Sequence, residues 1–309
     1  MINRRRFLKN SVNCSALILA RPLSCLSRLA SDTVITVLHT NDTHSQIDPI
    51  SASDKTYPNK GGVARRATLV KQMRSQNPNT LLIDAGDAFQ GTPYFNYYKG
   101  EVEYRSMSAI GYDAGTLGNH EFDNGVDALA AALRFATFDM VSTNYVVKGT
   151  SLESFVKPYV VKTVSGIRIG LFGLGINPIG LITPTNFKGV TYRDPVQAAA
   201  EVVTNLRQKE DCSLIVAMSH LGYYEHPKQT DVGDAQVAAQ VNGIDFIASG
   251  HTHIFMQKPV SVRQPSGKET LIFQVGRSGI YLGRVDFTFR TGKLIAATGR
   301  LLDSRQQVS

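Results

Sequence analysis

Residues 34–44 read Val34-Ile35-Thr36-Val37-Leu38-His39-Thr40-Asn41-Asp42-Thr43-His44, an apolar strand-like run that ends in a cluster of polar side chains. Four more apolar runs end in the same way. They are Leu81 to Ile83, Ala114 to Leu117, Leu214 to Met218 and Phe246 to Ala248, followed by Asp84-Ala85-Gly86-Asp87, Gly118-Asn119-His120-Glu121, Ser219-His220 and Gly250-His251-Thr252-His253. Because the carboxyl ends of neighbouring strands meet at one edge of a sheet, side chains distant in sequence would converge there. The spacing therefore predicts a two-metal hydrolytic site that no single stretch builds alone.

Helix-like segments alternate with these strands, which favours a layered α/β fold. One helix is predicted from Val63 to Gln76, where Asn77-Pro78 ends it, and another from Val126 to Phe135. A third begins at Asp194-Pro195, an N-cap residue followed by proline at the first helical position, and runs to about Lys209.

A second set of strands begins near the middle of the chain. Tyr159 to Val164 and Ile167 to Phe172 flank Ser165-Gly166 and predict a hairpin. The carboxyl third adds Val260 to Val262, Leu271 to Val275 and Leu282 to Phe289, with little helix between them. We therefore expect antiparallel strands to close the domain, and two sheets packed face to face with helices outside to form the fold.

Composition and charge narrow the class of protein. The chain has 309 residues, of which 42% are hydrophobic, so it can bury a full core as one large domain or two modest ones. The net charge of +8 falls to +2 when the six cations of residues 1–30, a segment without acids, are removed. With no basic run and no nucleic-acid-binding motif, this balance argues against nucleic acid as a partner.

The amino terminus resembles a twin-arginine export signal, since residues 3–9 read Asn3-Arg4-Arg5-Arg6-Phe7-Leu8-Lys9. The apolar stretch at 15–20 is far shorter than the roughly 18 to 20 residues of a transmembrane helix. We expect a periplasmic or otherwise exported protein with an export signal at 1–30, cleavage near Ala30, a catalytic domain at 31–303 and a tail at 304–309. Lipid anchoring at Cys25 is the less favoured alternative. Cys14 and Cys25 lie in the signal and only Cys212 lies outside it, so no disulfide is expected.

Aspartate, histidine and asparagine are ligand types that suit manganese, iron, zinc or cobalt. Each cluster alone is a weak signal, but five at strand ends favour a metal site. Asp42, His44, Asp87 and His253 would form one set of ligands, and Asp87, Asn119, His220 and His251 the other, with Asp87 shared. We therefore expect two divalent cations as cofactors. The two cations would share a water molecule and lower its pKa to about 7. The hydroxide that forms from this water would attack phosphorus in line.

His120 follows the predicted ligand Asn119 but is needed in neither set, which leaves it free to face the substrate. Asp123, three residues later, would hold the imidazole protonated and oriented. We expect His120 to stabilise the transition state and to donate a proton to the leaving group.

These motifs carry a family resemblance. The sequence is similar to the calcineurin-like metallophosphoesterases, and within them to the catalytic domain of bacterial periplasmic 5′-nucleotidases. The motifs that match in order are Leu38-His39-Thr40-Asn41-Asp42-Thr43-His44, Gly86-Asp87, Gly118-Asn119-His120-Glu121-Phe122-Asp123, Ser219-His220-Leu221-Gly222 and Gly250-His251-Thr252-His253. The resemblance implies a four-layer αββα sandwich of two mixed sheets, the two ligand sets above, and His120 and Asp123 as the catalytic pair.

The resemblance also implies a substrate, a small phosphate ester such as a 5′-nucleotide. Full-length nucleotidases of this family continue into a carboxyl-terminal domain that stacks the base and supplies arginines, whereas this sequence ends at Ser309. Either loops such as Phe89 to Tyr98 hold the substrate, or a separate polypeptide supplies the nucleotide-binding half. A phosphodiesterase acting on 2′,3′-cyclic nucleotides is the alternative enzyme. A catalytically weak metal-dependent binding subunit is the alternative of another class, and an intact His120 and Asp123 pair argues against it.

Several other polar or aromatic residues are interpreted as structural. We expect His39 to be packed or hydrogen-bonded behind the ligands, Asp84 to shape the turn that presents Asp87, and Glu121 to support its loop. Tyr94, Tyr97 and Tyr98 would line a substrate groove or, as is more usual for an aromatic cluster, pack in the interior.

Overall fold

Two mixed β-sheets organise the chain. The computed structural model describes residues 32–224 and 232–303, so the predicted export signal, Cys14, Cys25 and the predicted tail lie outside the described residues. The strands of the described residues are β1 (Thr33–Thr40), β2 (Thr80–Asp84), β3 (Ala114–Thr116), β4 (Asp139–Val141), β5 (Tyr145–Val146), β6 (Val156–Lys157), β7 (Tyr159–Val164), β8 (Ile167–Gly175), β9 (Thr191–Tyr192), β10 (Leu214–His220), β11 (Phe246–Ser249), β12 (Val260–Arg263), β13 (Glu269–Phe273), β14 (Tyr281–Arg290) and β15 (Lys293–Asp303).

The first sheet has the order β15-β14-β1-β2-β3-β4-β6 and the second β12-β13-β11-β10-β8-β7, while β5 and β9 form a separate two-stranded ribbon. In the first sheet, neighbours from β1 to β6 pair in parallel, and β14 and β15 add antiparallel pairs. In the second, β8, β10, β11 and β13 are parallel, with β7 and β12 antiparallel at the edges. The parallel strands bring their carboxyl ends, and the polar clusters that follow them, to the same edge.

Helices cover the outer faces of both sheets. They are α1 (Val63–Gln76), α2 (Pro93–Tyr98), α3 (Glu101–Ile110), α4 (Val126–Leu133), α5 (Pro195–Gln208) and α6 (Asp234–Gln240), with 3-10 turns at His120–Phe122 and Pro184–Phe187. One apolar core lies between the two sheets, a second joins α1, α3 and α4 to the first sheet, and a third joins α5 and α6 to the second. The layers therefore follow the order αββα, as predicted.

Most predicted elements are present with small changes at their ends. Helix α1 has the predicted bounds, and α5 begins as predicted because the Asp194 side chain accepts a hydrogen bond from the Gln197 N–H. Helix α4 ends at Leu133, two residues before the predicted end. The sequence did not predict α2, α3, α6 or the long edge strand β15. No helix of residues 32–224 and 232–303 combines the length and the apolarity that crossing a membrane requires.

Candidate metal centre and active site

The polar clusters meet where the two sheets face each other. The backbone N–H of Asp42 donates to the carbonyl of Gly86 at 2.9 Å, which joins the loop after β1 to the loop after β2. The His251 N–H donates to Asp42 Oδ2 at 3.0 Å, and His220 Nδ1 lies 2.8 Å from the Ala85 carbonyl oxygen. Loops from the first sheet are thus hydrogen-bonded directly to loops from the second.

Five of the predicted ligands have left-handed backbone conformations. They are Asp42 (φ 50°), His44 (φ 45°), Asp87 (φ 54°), His251 (φ 73°) and His253 (φ 56°). Such a conformation costs a residue other than glycine on the order of 1–3 kcal/mol and is concentrated at functional sites. Tight turns aim these side chains into one space, and the hydrogen bonds between loops hold the turns in place.

Asp42, His44 and His253 form a first group of candidate metal ligands. Asp42 Oδ1 lies 3.2 Å from His253 Nε2 and 3.8 Å from His44 Nε2. The Nε2 atoms of the two histidines lie 3.0 Å apart. Burial lowers the pKa of His44, which keeps its ring neutral and able to bind a cation.

Asp87, His220 and His251 form a second group. His220 Nε2 lies 2.9 Å from Asp87 Oδ2, and the amide oxygen of Asn119 lies 3.1 Å from His251 Nδ1. Burial disfavours the protonated form of His220, but the Asp87 carboxylate outweighs it and raises the pKa of His220 to about 10. The two groups adjoin, since Asp42 Oδ1 lies 3.9 Å from His220 Nε2. The structure thus brings all seven predicted ligands together.

Two details of these groups fit divalent cations. His220 Nε2 is buried 2.9 Å from Asp87 Oδ2, but the two groups are not aligned for a hydrogen bond. The atom therefore has no hydrogen-bond partner among the described residues. The Nε2 atoms of His44 and His253 lie 3.0 Å apart. At most one of them can carry the hydrogen of a hydrogen bond between the two rings, and the other must offer its lone pair. One cation could accept the lone pairs of His44 and His253, and a second cation that of His220. Nitrogen and oxygen donors of these types suit borderline divalent metals.

His120 and Asp123 form a pair at the edge of these groups. Nδ1 of His120 lies 3.0 Å from Asp123 Oδ2, and both side chains are about one third exposed. The hydrogen bond to Asp123 is the main reason that the pKa of His120 is raised. The backbone N–H of His120 donates to Asp87 Oδ1 at 2.9 Å, so the pair is held next to the second group.

Glu121 supports the loop that presents Asp87. Its buried carboxylate accepts hydrogen bonds from the backbone N–H groups of Asp87 at 3.0 Å, Ala88 at 2.8 Å and Gly118 at 2.6 Å. Burial raises the pKa of Glu121 to about 7. Gly118 is required beside it, because a Cβ at this position would overlap Asp87 Oδ1. Asp84 shapes the same turn by accepting from the Gly86 N–H at 3.0 Å.

A buried network behind the histidines was not predicted. Asp234, fully buried at the start of α6, accepts hydrogen bonds from the hydroxyls of Ser219, the last residue but one of β10, and Ser249, the last residue of β11. Gln274 donates to Ser249 Oγ at 2.8 Å and to the Gly250 carbonyl at 2.6 Å. The network therefore joins the two strand ends that present His220 and His251. Its members are far apart in sequence, and an aspartate at a helix start carries no motif.

Five of the candidate ligands, His44, Asp87, Asn119, His251 and His253, line a cavity of about 290 Å³ together with His120. Gln90, Gly91, Arg277 and Ser278 also line it. The Arg277 guanidinium makes no hydrogen bond or ion pair with residues of the described part of the chain, so its charge is available to an anion. Arg277 carries no metal-site signal in the sequence, because arginine is not a metal ligand, although it follows the end of β13 by a few residues.

The chain is a member of the calcineurin-like phosphoesterase family, whose model matches residues 35–255. This family is metal-dependent. The predicted family and fold are therefore confirmed.

The chain resembles several named proteins of this family. It is 34% identical over 327 residues to the 5′-nucleotidase of Vibrio parahaemolyticus, in a match that covers 95% of this chain and 56% of that protein. The crystal structure of a 5′-nucleotidase precursor from Thermus thermophilus is 34% identical with a TM-score of 0.79, and the match covers 88% of this chain and 54% of that chain. A calcineurin-like phosphoesterase of Bacillus subtilis is 26% identical with a TM-score of 0.72, over 90% of this chain and 93% of that chain. The chain spans about half the length of the first curated relatives that it matches.

Proposed function

We propose that this chain hydrolyses phosphate monoesters and that 5′-nucleotides are its substrate class. The observation that carries the proposal is that two adjoining groups of candidate metal ligands both contribute side chains to one cavity, which His120 also lines. The names of the 5′-nucleotidases that the chain resembles support the choice of substrate.

Seven side chains would hold the metal ions. Asp42, His44, Asp87 and His253 would bind one cation, and Asp87, Asn119, His220 and His251 the other. When bound, divalent manganese, zinc, cobalt or iron would neutralise charge on phosphoryl oxygens and lower the pKa of a water molecule toward 7.

Three further residues would act on the substrate: His120, with Asp123 behind it, as the proton donor, and Arg277 as a partner of the phosphate group. Asp123 occupies Nδ1 of His120, so Nε2 is the atom that would hold the proton for the leaving oxygen. The raised pKa of His120 favours the protonated ring that this role needs. Arg277 would pair with a phosphate oxygen, because it lines the same cavity as His251 and His253.

Hydrolysis assays on the purified chain test this proposal. AMP, a 2′,3′-cyclic nucleotide and ribose 5-phosphate would be compared with manganese, zinc or cobalt added, alongside Asp87→Asn and His120→Ala. We expect metal-dependent release of phosphate from AMP. Asp87→Asn should lose bound metal and activity together, whereas His120→Ala should keep its metal and lose about 10²–10⁴-fold in rate. Hydrolysis of the cyclic nucleotide alone would make the chain a phosphodiesterase, and full activity in His120→Ala would overturn the mechanism.

We further propose that residues 31–303 act as the catalytic domain without a separate polypeptide. The described residues from Asp32 onward belong to one compact unit, which contains both ligand groups. Robust AMP hydrolysis by a monomer, checked by gel filtration, would support this. A requirement for a co-purifying nucleotide-binding protein would support the competing arrangement, in which a partner completes the substrate site.

Export by the twin-arginine route is a third proposal. The residues that support it are Arg4-Arg5-Arg6-Phe7-Leu8-Lys9. Replacement of Arg4, Arg5 and Arg6 by lysine should retain the protein in the cytoplasm, as measured by cell fractionation. Export of that variant at the normal level would argue for a different route.

A further inference from the structure

A second cavity, of about 570 Å³, adjoins the metal centre. Gln46 lines both this cavity and the one that contains the candidate ligands. The loop after β2 also joins them. Gln90 and Gly91 line the cavity that holds candidate ligands, and the next two residues, Thr92 and Pro93, line the second cavity. A molecule with its phosphate at the metal centre could therefore extend directly into the second cavity.

Tyrosines of α2 form the wall of this second cavity. Tyr94, Tyr97 and Tyr98 line it, and Tyr97 and Tyr98 are 82% and 53% exposed. They do not pack in the interior, so the structural interpretation of this aromatic cluster was wrong for these two residues. Adjacent exposed aromatic rings beside a concave surface are typical of a binding site.

The wall is held in a defined position. Phe95, buried on the opposite side of α2, packs on Phe89 with ring centroids 5.2 Å apart. Tyr94 donates its hydroxyl to Asp48 Oδ2 at 2.8 Å, and the hydroxyl of Thr92 donates to the Ser45 carbonyl at 2.9 Å. The cavity is therefore formed before any ligand arrives, which limits the entropy that binding would cost.

The charge of the lining indicates which part of a substrate fits. The lining residues are Gln46, Ile47, Asp48, Thr92, Pro93, Tyr94, Tyr97 and Tyr98. Asp48 is the one charged side chain among them, and its carboxylate repels phosphate but accepts hydrogen bonds from N–H groups. An uncharged aromatic ring with N–H donors matches this lining, and the cavity lies within the usual size range of small-molecule sites.

We propose that the tyrosine-lined cavity binds the base of a nucleotide whose phosphate lies at the metal centre. The proposal rests on the proposed phosphomonoesterase function and assigns its leaving-group specificity to Tyr97 and Tyr98. The base stacks on these rings, and Asp48 accepts a hydrogen bond from a base N–H group. This chain then prefers nucleotides to aliphatic phosphate esters without help from a separate nucleotide-binding polypeptide.

A third cavity offers a matched control. It has a volume of about 500 Å³ and lies in the loop at 178–187, where Ile179 is 84% exposed. This loop also approaches the active site, since Asn186 donates to the Asp123 carbonyl at 2.8 Å. Its exposed large apolar side chains, Ile179 and Leu181, are aliphatic, and Phe187, the aromatic residue in its lining, is buried, so it lacks exposed rings on which a base would stack. Ile179→Ala thus removes an equally exposed apolar side chain from a competing cavity.

The experiment compares kcat/KM for AMP with kcat/KM for ribose 5-phosphate, which shares the phosphate and sugar but lacks the base. Tyr97→Ala and Tyr98→Ala should each lower the ratio of AMP to ribose 5-phosphate about 10-fold, through KM for AMP rather than kcat. Tyr97→Phe, which keeps the ring, should retain the ratio, and Ile179→Ala should leave it unchanged. An unchanged ratio in both tyrosine variants, or a loss in Ile179→Ala instead, would overturn the assignment.

Binding of adenosine, measured by isothermal titration calorimetry, separates this inference from the proposed function. Adenosine has no phosphate, so its binding does not require hydrolysis. Weaker binding to Tyr97→Ala and Tyr98→Ala than to the parent and Ile179→Ala would support the base site even in a chain that hydrolyses neither ester. Hydrolysis of AMP with no adenosine binding and no tyrosine effect would leave the phosphomonoesterase intact and reject the base site.

Discussion

The carboxylate of Asp123 lies 3.0 Å from Nδ1 of His120 and raises the pKa of that imidazole. A histidine that donates a proton works below its pKa, so activity should fall as the pH rises through the raised value. Asp123→Asn removes the negative charge and should move this alkaline limit to lower pH. The measurement is kcat/KM for AMP as a function of pH.

His120→Ala provides the control for this pH profile, since it should lack the alkaline limb that His120 causes. Metal content, measured in parallel, separates loss of the proton donor from loss of the cations. If the alkaline limb keeps its position in Asp123→Asn, another group sets it and the role of the pair is wrong.

A second prediction concerns the network behind the histidines. Asp234→Asn leaves the hydroxyls of Ser219 and Ser249 with a poorer acceptor, so the strand ends before His220 and His251 should lose their fixed spacing. Supporting hydrogen bonds of this kind commonly account for 10–100-fold in metal affinity. We expect a loss of about that size for manganese, measured by isothermal titration calorimetry.

Asp245→Asn is the matched control for Asp234→Asn. Asp245 immediately precedes β11, at the end opposite to Ser249, and accepts hydrogen bonds from Arg207 and the Ile215 N–H. Its replacement should lower the melting temperature without changing metal affinity. Equal metal affinities in the two variants would show that Asp234 has only a structural role.

A third prediction concerns the Arg277 guanidinium, which lines the same cavity as His251 and His253. Arg277→Ala should weaken inhibition by inorganic phosphate and raise KM for AMP about 10-fold, because a charge-assisted hydrogen bond to phosphate is lost. Metal content should not change. Arg263→Ala, at an exposed position on β12, controls for the loss of one positive charge. Equal phosphate inhibition in the two variants would remove Arg277 from the site.

The candidate ligands are easier to select from the sequence than the residues that support them, for a physical reason. Asp42, Asp87 and His251 each follow a buried strand within a few residues, so a local pattern of apolar and polar residues identifies them. Asp234 and Arg277 depend on contacts that only the packed sheets create. Helix α2 was missed because its six residues, with Tyr97 and Tyr98, are too few to show a helical period and favour strands by propensity.

His39 shows a further limit of sequence interpretation. The sequence predicts that it is packed or hydrogen-bonded. It is fully buried between the sheets, and its ring centroid lies 5.5 Å from that of Phe246 and 5.3 Å from that of Phe273. Neither ring nitrogen has a hydrogen-bond partner within the described residues. Gly283 lies opposite on β14, where a Cβ would overlap the ring. The imidazole therefore acts as an apolar core side chain.

The fourth prediction is that His39 makes the fold sensitive to acid. Burial lowers the pKa of His39 to about 3 from 6.5, so the unfolded chain binds one more proton between these values. Stability from His39 is then complete above about pH 6.5 and is lost as the pH falls toward 3, by about 1.4 kcal/mol per pH unit. His39→Leu should lack this loss, so its free energy of unfolding, measured with urea from pH 7 to 5, should gain on the parent as the pH falls. Burial raises the pKa values of the carboxyls of Asp84 and Asp234, so these groups stabilise the fold as the pH falls, opposite to His39. They are present in both proteins, and their effect cancels in the difference. Parallel pH profiles for the two proteins would mean that His39 is protonated or solvated in the folded state.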